Sequence, residues 1–272
     1  MSRRELRGRV VLVTGAAGGL GAALCRCLAA EGARIAAVDL DASRLALLVA
    51  ELRARGAAAL ASPADIADPD ACAAAVAATL AQFGEIDGLI NNAGISARSL
   101  LRDTDPAVIR RVMEVNFFGA SNFTRAALET IVARRGFIVA VSSVAGFSPL
   151  VGRTAYAASK HALHGFFDSL RSEVGGAGVG VTLVCPSFIR TGIGSAASDG
   201  SGAPASGPRL TTGGESSPDA VARRIIDAVL ADCALLLPDV TSRQAWWLSR
   251  LAPGLYTRIM KRRLGAEFPE LP

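Results

Sequence analysis

Tyr156 and Lys160 stand four residues apart, a spacing that puts both side chains on one helix face, one turn from each other. The chain holds only two Tyr and two Lys against twenty-seven Arg, so a lysine at this place is a specific choice. An ammonium is a compact charge with three donors, whereas a guanidinium is a planar fork that stays protonated. A phenol of ordinary pKa, about 10, is a poor base near neutrality. A cation one turn away favours the phenolate and lowers that value. The pair therefore suits proton transfer to or from an oxygen.

A second cluster, Thr14-Gly15-Ala16-Ala17-Gly18-Gly19-Leu20-Gly21, follows the apolar run VVLV and opens a helical stretch. The unpaired N–H groups and dipole of a helix start suit a pyrophosphate, and glycines let the backbone approach it. Asp39 ends the next apolar run, eighteen residues after Gly21. There a carboxylate accepts both ribose hydroxyls of an adenosine and repels a 2′-phosphate. A turn or helix cap is the plainer use of Asp39. This reading makes NAD the expected cofactor, with NADP second because Arg44 lies close in sequence.

Positioning these groups falls to an alternation of strands and helices. Strands are expected over 10–14, 34–39, 57–62, 86–91, 137–142, 179–184 and 235–237. Helices are expected over 20–31, 42–55, 69–83, 106–134, 155–174 and 218–230, with Asp68 as an N-cap and Gly32, Gly56 and Gly84 as stop signals. Near-continuous apolar strands suit a sheet buried on both faces. The pattern implies an α/β fold, a Rossmann-type doubly wound parallel β-sheet with helices on both faces. Residues 1–239 form one domain, interrupted by a Gly/Ser/Ala/Pro-rich loop at 192–217 of the kind that serves as a lid or binding loop. Residues 240–272 form a basic tail.

The spacing T-G-x-x-x-G-x-G resembles the short-chain dehydrogenase/reductase family, and its further signatures follow in order from Val10 to Leu237. They are Asp65-Ile66, Asn91-Asn92-Ala93-Gly94, Asn116 within V-N-x-x-G, Ser142-Ser143, Tyr156-x-x-x-Lys160 and Pro186-Ser187-Phe188-Ile189-Arg190-Thr191. The resemblance implies reversible oxidation of an alcohol to a carbonyl compound, with Tyr156 as general acid/base. Ser143, thirteen residues before Tyr156, would orient the carbonyl; Ser142 is the alternative. Lys160 would also bind the nicotinamide ribose, and Asn116 would hold a water linking Lys160 to solvent. Thr14, Gly15, Gly19, Leu20, Gly21, Asp39, Asp65, Ile66, Asn92, Ala93, Gly94, Pro186, Ile189 and Thr191 would join Tyr156 and Lys160 around the cofactor. Ser187 replaces the family's usual Gly, a strained exchange if that position needs a positive φ. A homodimer or homotetramer is the implied assembly.

Composition excludes other classes. Five Cys without a C-x-x-C pair, and two His (161 and 164), suggest neither a disulfide framework nor a zinc site; free thiols fit the cytosol. The two His, flanking Lys160, read as packing or surface residues. Residues 1–9 carry +3 and 240–272 carry +4, leaving −2 on the stretch between, so no basic stripe for nucleic acid is expected on the body. The basic start before VVLVTGAAGGLGAAL imitates a signal peptide, but the glycines have the better use given above. The tail reads as two short amphipathic helices broken at Pro253-Gly254, suited to packing over the cleft or on another subunit, or to peripheral contact with an anionic membrane. Few charges in the loop and an apolar tail suggest a hydrophobic substrate such as a steroid, lipid or terpenoid alcohol. The competing function is a non-catalytic dinucleotide sensor or scaffold on the same fold. A membrane-recruited regulator and an epimerase or dehydratase stand behind it.

Overall fold

Short runs such as VVLVT and FIVAV are apolar at every position, so a sheet made from them needs helices on both sides. The computed structural model, which describes residues 4–194, 196–206, 210–211 and 213–268, shows that arrangement. Strands β1 (Val10–Thr14), β2 (Arg34–Asp39), β3 (Ala59–Pro63), β4 (Gly88–Asn91), β5 (Phe137–Val141), β6 (Gly180–Val184) and β7 (Leu235–Leu236) lie in the order β3-β2-β1-β4-β5-β6-β7. Every neighbouring pair is parallel.

Strand alternation divides the core in two. Val11, Val13, Ile35, Val139 and Val184 pack beneath α1 (Gly19–Ala30), α2 (Ala42–Ala54) and α7 (Pro218–Leu230). Leu12, Val38, Leu89, Ile138 and Leu183 face the other way, toward α3 (Pro69–Phe83), α5 (Gly119–Ala133) and α6 (Thr154–Val174). The α/β, Rossmann-type doubly wound sheet expected from sequence is what forms.

Local chemistry sets the boundaries. In α3 the Asp68 carboxylate accepts from the Asp70 amide, Pro69 occupies the first turn, and Gly84 closes the helix at φ 82°. The stretch 106–134 is not one regular helix: α4 (Pro106–Met113) passes through a π turn, Glu114–Phe118, into α5. At the opposite end of the sheet from the site, the Asp87 carboxylate is 1% exposed. It accepts from the Val10 amide (2.8 Å), Arg9 (2.6 Å) and Arg134 (3.0 Å).

The tail folds into α8 (Val240–Leu251) and α9 (Pro253–Leu264), divided where the sequence predicts. Ala245, Tyr256, Met260 and Leu264 bury their side chains with Val144, and Phe147 and Leu150 pack against that cluster. Arg153, just before α6, pairs with Glu267 at 2.8 Å, the two side chains 12% and 2% exposed. Glu267 also accepts from the Leu210 amide, tying the 192–217 loop to the tail. Positions 195, 207–209 and 212 of that loop and 269–272 of the tail lie outside the described residues.

Candidate active site

In an open α/β sheet, ligands settle where strand order reverses, beyond the strands' carboxyl ends. Here that point lies between β1 and β4, and a cavity of about 480 Å³ opens there. The turn after β1 supplies one wall through Gly15, Gly18, Gly19, Leu20 and Gly21. Gly15 has φ +63°, and a Cβ on it would lie 2.7 Å from the Ala93 Cα, so a larger residue is excluded twice. Gly21 packs directly on the Gly15 carbonyl.

α1 differs from most of its neighbours at its start. Helices α2, α3, α4, α7 and α8 are capped by the side chains of Asp41, Asp68, Asp105, Ser217 and Asp239. α1 begins at Gly18 with no side-chain cap and no acidic residue in its first turn. Its N-terminal amides, at the cavity wall, fit an anion such as a pyrophosphate. The donor set and the space thus fit a dinucleotide.

Asp39 lines the cavity and serves the turn as well. One carboxylate oxygen accepts from the Ala17 amide at 2.9 Å, the other from the Asp41 amide at 3.0 Å. The cap is thus observed, and it leaves each carboxylate oxygen a further lone pair on the cavity side. Arg44 lines the same region. Asp65 and Ile66 follow around the wall, with Arg111 paired to Asp65 at 3.2 Å.

Ser143, Tyr156 and Lys160 line the same cavity. α6 carries Tyr156 and Lys160 on one face, and the Lys160 ammonium lies 5.7 Å from the Tyr156 ring centre. Lys160 is 3% exposed and donates to the Val141 carbonyl at 2.8 Å. Burial pushes its pKa down to about 8. Ser143 accepts from the Ala145 amide at 3.2 Å, turning the chain off β5. Ser142 donates to the Lys160 carbonyl (3.2 Å) and lies 3.1 Å from His164 Nε2, so the two serines have different partners although both line the cavity. His164 is half-buried, its pKa lowered by burial, and His161 is exposed.

Two predicted residues stand behind the wall rather than on it. Thr14 is 2% exposed, and its hydroxyl accepts from the amides of Asn92 and Ala93, both at 3.1 Å. It joins β1 to the turn after β4 and is a positioning residue, not a cavity contact. The Asn116 amide, in the π turn, accepts from the Ile95 N–H at 2.8 Å and donates to the Ile95 carbonyl (3.0 Å) and the Ser159 hydroxyl (2.9 Å). Gly94 leaves the gap between Asn116 and Lys160: a Cβ there would lie 3.1 Å from Asn116 Oδ1 and 3.5 Å from Lys160 Nζ.

Asn92, Ala93, Gly94, Pro186, Ile189 and Thr191 all line the cavity, and Thr191 closes on Gly19. Ser187 is not strained, because Arg135 and Asp232 alone among described non-glycine residues have positive φ. Its amide donates to Asp239 at 3.0 Å. Sequence reasoning missed Arg98, Arg153, Leu150, Thr241 and Tyr256, which also line the cavity. The one available signal was that Tyr256, the second tyrosine, falls on the apolar stripe of the tail. Among the described residues no group of His, Cys, Asp and Glu could hold a metal ion.

A doubly wound sheet, a glycine turn at the strand-order reversal and a Ser–Tyr–Lys cluster define a dinucleotide-dependent oxidoreductase class. The model of the family described as short chain dehydrogenase matches residues 9–201, and the chain belongs to the short-chain dehydrogenase/reductase family. It is 40% identical over 273 residues to "Dehydrogenase/reductase SDR family member 7B" of Bos taurus, covering 97% of this chain and 84% of that protein. The similarly named "SDR family protein 7-like" of Drosophila melanogaster is 36% identical over 267 residues, covering 96% and 82%. Among solved structures, a short-chain dehydrogenase/reductase from Burkholderia phymatum in complex with NAD superposes with a TM-score of 0.83 at 27% identity, covering 93% of this chain and 96% of that one.

Proposed function

We propose that the protein interconverts an alcohol and a ketone or aldehyde, with NAD as the preferred cofactor and an apolar small molecule as substrate. The convergence of Ser143, Tyr156 and Lys160 on the cavity reached by the uncapped start of α1 carries this reading. A bound nicotinamide dinucleotide supplies the hydride acceptor or donor.

The chain's own residues do the rest. Gly15–Gly21 and Asp39 would hold the adenosine and pyrophosphate portion, and Thr191 with Lys160 would hold the nicotinamide end. Ser143 donates to the substrate oxygen and fixes its position. Tyr156 gives that oxygen a proton during reduction and removes one during oxidation. Lys160, held by Val141, favours the phenolate through its charge. Asn116 acts as a positioning residue through Ile95 and Ser159, rather than as a contact of the reacting atoms.

Support for NAD comes from Asp39, whose carboxylate repels a 2′-phosphate, and for an apolar substrate from Ile95, Val144, Leu150, Phe188 and Tyr256 on the wall. A sensor or scaffold has no use for a proton-transfer set. The test is a panel of alcohols and ketones of graded polarity, read by NADH absorbance. Turnover concentrated among apolar compounds supports the reading; binding of NADH without turnover of any member returns the sensor.

A further inference from the structure

The hairpin of α8 and α9 has an inner side that the site accounts for and an outer side that it does not. Inward, Ala245, Tyr256, Met260 and Leu264 are buried, and Thr241 and Tyr256 line the cavity. Outward, Val240, Trp247, Leu251 and Leu255 are 58%, 62%, 78% and 48% exposed. These are four of the nine large exposed apolar side chains among the described residues, gathered within sixteen positions. Isolated exposed apolar residues need no explanation, but a concentrated patch marks an interaction surface.

Charge decides the partner. Between Val240 and Leu264 the chain carries Arg243, Arg250, Arg258, Lys261, Arg262 and Arg263, and no Asp or Glu. All six are exposed. A second copy meeting this face about a two-fold axis would bring the same cations against each other. An anionic lipid surface complements them, and the exposed Trp belongs to the side chains favoured at a membrane interface. Two twelve-residue helices are of a size to lie along the surface, and no helix of the described residues is long and apolar enough to cross a membrane. Arg250 stacks over Trp246, its guanidinium carbon 3.2 Å from the ring centre, and over Phe147 at 5.5 Å, which fixes α8 to the body.

We propose that the outer face of the α8–α9 hairpin docks the protein peripherally onto an anionic bilayer. Because Thr241 and Tyr256 on the inner side line the cavity, docking sets that part of the cavity wall beside the lipid.

The test uses the full chain with phosphatidylcholine vesicles, with and without phosphatidylserine, read by co-sedimentation and tryptophan fluorescence. The chain has two tryptophans, so Trp247→Phe removes the outward probe and leaves Trp246 as an internal control. Wild type is expected to pellet with the anionic vesicles alone, with a blue shift that Trp247→Phe abolishes and added salt weakens. Arg258→Glu combined with Arg262→Glu, and separately Trp247→Ser with Leu251→Ser, should each lower partitioning about tenfold or more while thermal melting stays unchanged. Equal pelleting with both vesicle types, or partitioning that neither pair alters, overturns the proposal. So does a dimer in sedimentation velocity that the apolar pair converts to monomer. Binding is read without turnover, so this result is independent of the enzymatic reading.

Discussion

The Lys160 ammonium donates to the Val141 carbonyl at 2.8 Å, crossing from α6 to the last residue of β5. That bond holds a buried cation on the same helix face as Tyr156. It satisfies one of three donors and leaves the charge available to the site.

Burial gives this cation a measurable signature. Its pKa falls from 10.5 to about 8 in the folded chain, so between those values the unfolded chain binds more protons and stability rises with pH. Below the lower value Lys160 is charged in both states and its contribution is constant. Urea midpoints of the cofactor-free protein measured from pH 7 to pH 10 should therefore rise more in wild type than in Lys160→Met. Parallel curves would show that Lys160 is not the buried cation described.

The Asp39 carboxylate accepts the Ala17 amide and lines the cavity, so its proposed role in cofactor choice can be separated from its role in the turn. Asp39→Asn keeps an acceptor for that amide and removes the charge. The ratio of NADPH to NADH dissociation constants, measured by fluorescence titration, should fall about tenfold or more, equivalent to ~1.4 kcal/mol. An unchanged ratio would assign Asp39 to capping alone.

Asp87 gives a stability test far from the chemistry. Burial alone would raise its pKa, but the Val10 amide and the Arg9 and Arg134 guanidiniums outweigh it and hold the value below the usual carboxylate range. With the folded value depressed, the stabilisation is present above the unfolded pKa and is lost as pH falls through the folded one. Asp87→Asn should cost about 2 kcal/mol at neutral pH, the scale of weakening charge-assisted hydrogen bonds to a buried carboxylate whose cations are partly exposed. The gap from wild type should narrow in strong acid. A gap that stays constant with pH would exclude the charge as its origin.

The glycine-turn wall of the cavity was legible in sequence because local chemistry dictates it. Gly15 needs a positive φ, Gly21 needs the absence of a Cβ, and a glycine-rich helix start without a side-chain cap leaves amides that an anion can satisfy. The i,i+4 spacing of Tyr156 and Lys160 was equally local. Thr14 and Asn116 were legible as important but not as lying behind the wall, since their partners sit 78 and 21 residues away. The part of the wall built by the tail was least legible. Arg153 and Glu267 meet across 114 residues, and Tyr256 reaches the cavity only because α9 folds back over Val144. The π turn at Glu114–Phe118 leaves the helical pattern of the sequence intact and so gives no warning.

In the proposed reaction Tyr156 moves the proton beside the bound nicotinamide. Stopped-flow NADH absorbance on Tyr156→Phe, with a substrate found in the panel, tests it most directly. Cofactor affinity is expected to stay within about twofold of wild type and the hydride-transfer rate to fall by about a thousandfold or more, the scale of a lost general acid/base. A variant that binds cofactor normally and keeps a tenth of the wild-type rate would contradict it.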